Sequence, residues 1–291
     1  MNTLTNNLTV RCEQGFEVYV LDNGETELAV VPELGAKIIS LKNQRSGRDW
    51  LWHPPGGLKL FHNRAGDDFS ESPLAGIDEC FPTIAPCRWR GRDLPDHGEL
   101  WNATWSVEVS GLKNGILETR ANLRISPFEL KRTIELTGGK IQINYELNNR
   151  SSSEEKFLWA LHPLLRLQAG DELELPASTR ALFNGAEWVD AIASAVPDKN
   201  SAKIFATPVT EGFAAIHNSK TGDRLEFEWN PDENKVLGLW LTRGGWHGHH
   251  HFALEPMNAD CDSLVVAAEQ KCSGMVAAFG SATWQISLRV S

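Results

Sequence analysis

Strict alternation of apolar and polar residues is the feature that most limits what this chain can fold into. Ile141-Gln142-Ile143-Asn144-Tyr145-Glu146-Leu147-Asn148 alternates without a fault. Side chains of an extended strand point to opposite faces in turn, so this run buries one face and wets the other. Residues 105–110 and 225–229 repeat the pattern. Between such runs stand residues that tolerate positive φ in tight turns: Asp22-Asn23-Gly24, Lys113-Asn114-Gly115, Thr137-Gly138-Gly139 and Lys220-Thr221-Gly222-Asp223. Helical spacing is scarce. Only residues 187–196 space apolar side chains by four (Trp188, Ile192, Val196), which predicts one short helix there. Evenly spread strands and turns predict an all-β antiparallel sandwich rather than alternating βαβ units. With no linker or internal repeat, the expectation is a single domain over residues 1–291.

The composition narrows the function classes. A formal charge of −10 disfavours phosphate backbones and anionic membranes, and no basic patch offsets it, so neither nucleic acid nor membrane is an expected partner. No stretch approaches about 18 uninterrupted apolar residues, and residues 1–14 lack a basic start followed by an apolar run. A cytoplasmic location is therefore expected. The five cysteines are scattered and include no CxxC pair, which suits free thiols better than a disulfide framework or a zinc site. Phosphate-cradling GxxxxGK[ST], dinucleotide GxGxxG and nucleophile-elbow GxSxG motifs do not occur. Strand edges are not legible in a sequence, so the oligomeric state stays open.

Residues 54–100 break the alternation. They are rich in Gly, Pro and charge, yet hold Trp, Phe and Cys, a mixture that fits the wall of a binding site better than disorder. Inside this stretch, Asp96-His97-Gly98 reads either as a surface turn or as an imidazole aimed into a cleft, with Gly98 admitting a ligand and Trp101 offering an aromatic face to a sugar ring. Trp101 equally suits a core position. His162 ends the apolar run Phe157-Leu158-Trp159-Ala160-Leu161. A histidine there is either satisfied in the core or, with Pro163 at a strand edge or bulge, re-aimed toward a site. Glu255 follows Phe252-Ala253-Leu254 and precedes Pro256. It is either a solvated strand end or a carboxylate made more basic by burial. Just upstream lies Trp246-His247-Gly248-His249-His250-His251. Consecutive histidines on a strand face opposite ways and do not form a tetrahedral site, so no metal is assigned and a loop or cleft-rim role is expected.

In order and context, the segments 94–101, 160–163 and 252–256 resemble the aldose 1-epimerase (galactose mutarotase-like) family. Glu33-Leu34-Gly35-Ala36-Lys37-Ile38-Ile39-Ser40-Leu41 resembles its early strand, and Gly76-Ile77-Asp78-Glu79-Cys80-Phe81-Pro82-Thr83-Ile84 the approach to its first site histidine. The similarity lies between residues 30 and 260. It implies a large antiparallel β-supersandwich and a reaction that interconverts the α and β anomers of an aldose by opening the ring. In that scheme Glu255 takes the anomeric proton, His162 donates one to the ring oxygen and His97 orients the sugar. No cofactor is implied, since two proton transfers suffice. Asp78, Arg64, Trp101 and Trp246 are the candidate sugar contacts. The sequence departs from the family at Gly76-Ile77-Asp78-Glu79, where some relatives place an arginine. Acids there favour a neutral over a phosphorylated sugar. The family's sugar-binding aspartate is Asp190, Asp198 or Asp232, undecided. Two other functions stand beside this one: a non-catalytic carbohydrate-binding protein on the same fold, and a metal-dependent sugar isomerase or lyase using histidines 247–251.

Overall fold

A computed structural model of the chain describes residues 7–64, 66–108, 115–183 and 197–291. The alternating run at 141–148 lies within a ten-residue strand, Lys140–Asn149. Ile141, Ile143, Tyr145 and Leu147 are buried while the residues between them are partly or fully exposed. Each such aliphatic side chain contributes on the order of 1.5–3 kcal/mol on leaving water. A one-residue slip would wet all four, so the hydrophobic pattern fixes the register. Gly138, at φ 57°, turns the chain into this strand from its predecessor.

The strands run, in chain order, β1 (Asn7–Glu13), β2 (Phe16–Asp22), β3 (Thr26–Val31), β4 (Lys37–Asn43), β5 (Ile77–Cys80), β6 (Cys87–Trp89) and β7 (Arg92–Leu94). Then come β8 (Ser106–Glu108), β9 (Ile116–Asn122), β10 (Phe128–Thr137), β11 (Lys140–Asn149), β12 (Glu155–Phe157), β13 (Ala160–Pro163) and β14 (Asp171–Glu174). The last seven are β15 (Ser201–Ala206), β16 (Phe213–Asn218), β17 (Arg224–Trp229), β18 (Val236–Arg243), β19 (His250–Met257), β20 (Gly274–Val276) and β21 (Ser281–Val290). Among the described residues, two short α-helices, α1 (Ala177–Leu182) and α2 (Leu264–Gln270), were not foreseen, because six or seven residues are too few to show a period. The helix expected at 187–196 lies outside the described residues. Of the four turns expected, those at 22–24, 137–139 and 220–223 join antiparallel neighbours; residues 113–114 are outside the described set.

Two large sheets account for most strands. One has nine strands in the order β1-β2-β3-β4-β5-β13-β19-β18-β15; the other has eight, β14-β16-β17-β21-β11-β10-β9-β8. The main core joins residues of both, such as Leu28, Ile38, Ile77, Leu239 and Leu254 from the first with Ile134, Ile143, Phe227 and Ile286 from the second. The fold is thus an antiparallel all-β sandwich. Strand alternation gives the nine-stranded sheet a second face. Val18, Val20, Ala29, Val31 and Ile39 form one apolar patch there; Cys80, Ala160, Val236 and Met257 form another. Between these patches the face is polar. Among the described residues, no helix is long and apolar enough to cross a membrane.

Of the two readings of Pro163, strand edge or bulge, the edge of the sheet is excluded. β13 is interior, between β5 and β19. It meets β19 at Ala160↔Met257 and the chain meets it again at the bridge Leu165↔Phe252. Between those points stand Pro163 and Pro256, which have no N–H to give. The prolines thus fall in an interior stretch where the two strands keep register without ladder bonds.

Candidate functional site

Register builds a row of side chains across the second face of the large sheet. Ile38 pairs Ile77, which sets Lys37 beside Asp78. Asp78 pairs His162. The Ala160↔Met257 and Leu165↔Phe252 pairs share one register, which puts His162 opposite Glu255. Glu255 pairs Gly238, and Gly238 pairs Phe205. Six adjacent strands therefore carry Lys37, Asp78, His162, Glu255, Gly238 and Phe205 in line. His162 Nε2 lies 3.8 Å from Glu255 Oε1. Lys203, two residues from Phe205 and on the same face, reaches back over Gly238 and sets its Nζ 2.7 Å from Glu255 Oε2 and 3.1 Å from Asp262 Oδ1. A Cβ on Gly238 would lie 3.1 Å from Glu255 Oε2 and 3.0 Å from the Met257 sulfur, so the missing side chain is what leaves Glu255 its space.

His97 arrives from outside the sheet, on the turn after β7, at φ 55°. Its ring stacks on Phe69 at 4.0 Å and meets the His162 ring edge-on at 5.3 Å. Asp96 organises this corner. One carboxylate oxygen accepts the Phe69 N–H at 3.0 Å, and the other lies 3.0 Å from His97 Nδ1. Asp96-His97-Gly98 is thus a turn, and it sets the His97 ring against Phe69 and His162. The expectation for Gly98 fails, however. At φ 75°, its hypothetical Cβ would lie 1.9 Å from the Phe81 carbonyl oxygen, so Gly98 serves a close approach of backbone, not of a ligand.

Burial sets the charge states. His162 is 6% exposed, and its pKa falls well below the ordinary imidazole value, first through desolvation and then through the neighbouring His97, Lys203, His251 and Lys37. It is neutral at pH 7. Burial raises the Asp78 carboxyl, with the Lys37 ion pair pulling the other way. Burial disfavours the Lys203 charge, but Glu255 and Asp262 outweigh it and raise its pKa. Burial also opposes ionisation of Asp96, yet the contacts with His97 and the Phe69 N–H hold it below the usual carboxylate range. Glu255 is fully buried, so the solvated-strand-end reading does not apply.

The other sequence candidates scatter. Trp101 is 3% exposed, packs edge-on against Phe69, donates its indole N–H to the Asp96 carbonyl at 2.9 Å and also lines a cleft beside the site. Arg64 is exposed, and its backbone N–H and carbonyl bond Asp67 and Asn102. Trp246 packs on the cluster of Trp52, Phe69 and Trp101 and stands 5.9 Å from the His251 ring. Histidines 247–251 do not converge: the His247–His249 and His249–His251 ring centres are 6.5 and 6.3 Å apart, and His250 and His251 alternate in and out. Asp198 pairs Arg243 at the surface, and Asp232 sits in a turn on Asn230; Asp190 is outside the described residues. Glu79 points away from the site, into the core, where Arg132, Tyr145 and Trp159 bond it. Two acids in sequence therefore contribute one to the site, and two lysines flank it. The charge argument against a phosphorylated sugar loses its basis. A cleft of about 850 Å³ adjoins the site on the side of Lys37, Trp101 and Asp96.

Sequence reasoning missed Lys37, Lys203, Gly238, Phe69 and Asp262. Lys37 and Lys203 carried no readable signal, because each neighbours a core-facing isoleucine and points to the opposite face of its strand. What the row can do follows from its chemistry: a buried carboxylate accepts a proton, and a neutral imidazole beside it presents an N–H.

The antiparallel sandwich agrees with the relatives of the chain. The family model for aldose 1-epimerase matches residues 17–196, a span with both His97 and His162 but not Glu255. The chain belongs to the aldose 1-epimerase family. Among solved structures, a galactose mutarotase-like protein from Clostridium acetobutylicum superposes with a TM-score of 0.75 at 15% identity, covering 99% of both chains. A protein from Synechocystis sp. PCC 6803 gives 0.72 at 18%, covering 94% of this chain and 95% of that one. A galactose mutarotase-like protein from Lactobacillus casei gives 0.65 at 16%, over 94% and 100%. At such identities the likeness shows the fold. No curated protein sequence matches the chain.

Proposed function

We propose that the chain, as a single domain, is a mutarotase that interconverts the α and β anomers of an aldose. The observation that carries this reading is the placement of His162 opposite Glu255 at 3.8 Å on a buried polar row. Glu255 removes the proton from the anomeric hydroxyl; the C1–O1 bond becomes a carbonyl as the bond from C1 to the ring oxygen breaks. The ring oxygen takes the proton of the neutral His162 N–H. Glu255, newly protonated and beside the imidazole, returns a proton to it. Each group ends as it began, and the imidazolate does not persist. Rotation about C1–C2 and closure by the reverse steps give the other anomer. His97, held by Asp96 and Phe69, orients the ring. Two proton transfers between fixed groups supply the catalysis by acid–base chemistry and positioning.

The test is to follow anomeric interconversion by NMR for a panel of freshly dissolved aldoses, neutral and 6-phosphorylated, with wild type and His162→Asn. Acceleration over the spontaneous rate that drops at least about 100-fold in the variant is the expected result, the usual size of an acid–base contribution. Sugar binding without acceleration for any member of the panel would leave a carbohydrate-binding protein.

A further inference from the structure

Cys80, His97 and His162 converge on one point beside the acid–base pair. One donor atom of each lies within 4.8 Å of the other two, and they come from β5, the turn after β7, and β13. We propose that this cluster binds a thiophilic divalent cation of the zinc class, through the Cys80 sulfur and one nitrogen of each imidazole.

Donors bound tetrahedrally to zinc are separated by roughly 3.3–3.6 Å, given bond lengths of about 2.3 Å to sulfur and 2.0–2.1 Å to nitrogen. The three donor atoms, all within 4.8 Å of one another, must draw in to reach that range. Cys80 and His162 are on the same sheet face, since Cys80 pairs Ala160 while His162 pairs Asp78. The residues present are soft sulfur and borderline nitrogen, the set that selects zinc-class metals over magnesium or calcium. A second observation points to a ligand. His162 Nδ1 and Glu255 Oε1, both buried, make no hydrogen bond, so this pocket contains polar atoms without partners. The two lysines do not bar a cation, because Lys37 is ion-paired to Asp78, and Lys203 to Glu255 and Asp262. Phe69, packed on both imidazoles, closes one side against water. On binding, two bonds form from neutral imidazole nitrogens to the metal, one forms from sulfur, and the thiol proton leaves to solvent.

The site stands independently of the mutarotase reading; only its consequence rests on that reading. A cation here ties up His97 and His162, so metal and sugar exclude one another and the metal acts as an inhibitor.

The experiment is a titration of the metal-free wild type with Co²⁺, a spectroscopic substitute for zinc, read in the near-ultraviolet thiolate charge-transfer band and the visible tetrahedral bands. One equivalent should saturate both, and Zn²⁺ should then displace them. Cys80→Ser should abolish the charge-transfer band. His97→Gln should weaken binding at least about tenfold, since loss of a direct ligand costs no less than loss of an outer-shell partner. No thiolate band in wild type would overturn the proposal, as would a band that survives Cys80→Ser and so belongs to Cys12, Cys87, Cys261 or Cys272. If Cys80→Ser does not fold, as circular dichroism would show, the His97→Gln arm decides, and unchanged affinity there overturns it. Excess aldose should suppress the cobalt bands. Bands indifferent to aldose would keep the metal site and count against sugar binding at these histidines.

Discussion

Lys203 and Glu255 form an ion pair across a glycine: the ammonium sits 2.7 Å from the carboxylate, over the backbone of Gly238. Neither end is free to relax into water, because Glu255 is fully buried and the Lys203 side chain is only 17% exposed. Removing Lys203 leaves the Glu255 charge without its partner in a buried place, whereas removing both charges does not. Lys203→Met should therefore lower stability in urea unfolding by about 3 kcal/mol, and adding Glu255→Gln should recover most of that loss. Strict additivity in the double-mutant cycle would show the pair to be energetically uncoupled.

Gly238 should act as a positioning residue in the same arrangement. An added methyl would press on the Glu255 carboxylate and the Met257 sulfur at about 3 Å. Gly238→Ala should cut kcat by at least about tenfold, by the sensitivity of catalysis to small misplacements, with KM and the unfolding midpoint much less affected. Full activity in Gly238→Ala would mean that Glu255 does not need its present place.

The charge state of His162 gives the pH profile its shape. Because the imidazole is already neutral well above its lowered pKa, deprotonation of an ordinary histidine at about pH 6.5 should leave no mark. Mutarotation per enzyme should be flat from about pH 6.5 to 8. A tenfold fall per unit over that window would instead identify an imidazolium as the proton donor.

Stability should carry a histidine signature of its own. His251 is 2% exposed, and burial, then His249 and His250, lower its pKa to about 3; Trp240 donates its indole N–H to the ring at 3.1 Å. The unfolded chain takes up this proton near pH 6.5 and the folded one does not until about pH 3. Below about pH 6.5 the unfolded state therefore binds more protons, and stability falls as pH falls, by up to about 1.4 kcal/mol per unit for this group. Above that window the contribution is fully present. Denaturant unfolding between pH 7 and pH 5 should show a shallower slope in His251→Gln than in wild type.

The fold was legible where alternation and turn chemistry coincide. Residues 141–148 and the Gly138 turn carry their strand, register and hairpin in the local sequence alone. The catalytic candidates were legible by type and flanking context, and their meeting was not. His162 and Glu255 are 93 positions apart and face each other only because β13 and β19 share a register that two prolines interrupt. Gly98 was misread for a similar reason: the atom that demands a glycine there is the Phe81 carbonyl, 17 residues away in sequence. Lys203 and Asp262 lay in segments with no motif, and their importance exists only through Glu255. Trp101 shows why type and context leave a role open: its ring packs edge-on against Phe69, yet it also lines the cleft beside the site.

The most direct measurement is the rate of anomeric interconversion of freshly dissolved aldoses by polarimetry, with wild type against Glu255→Gln at equal folded concentration. Proton removal by Glu255 predicts acceleration over the spontaneous rate in wild type and a loss of at least about 100-fold in the variant. Equal acceleration by both proteins would contradict Glu255 as the base and the row built around it.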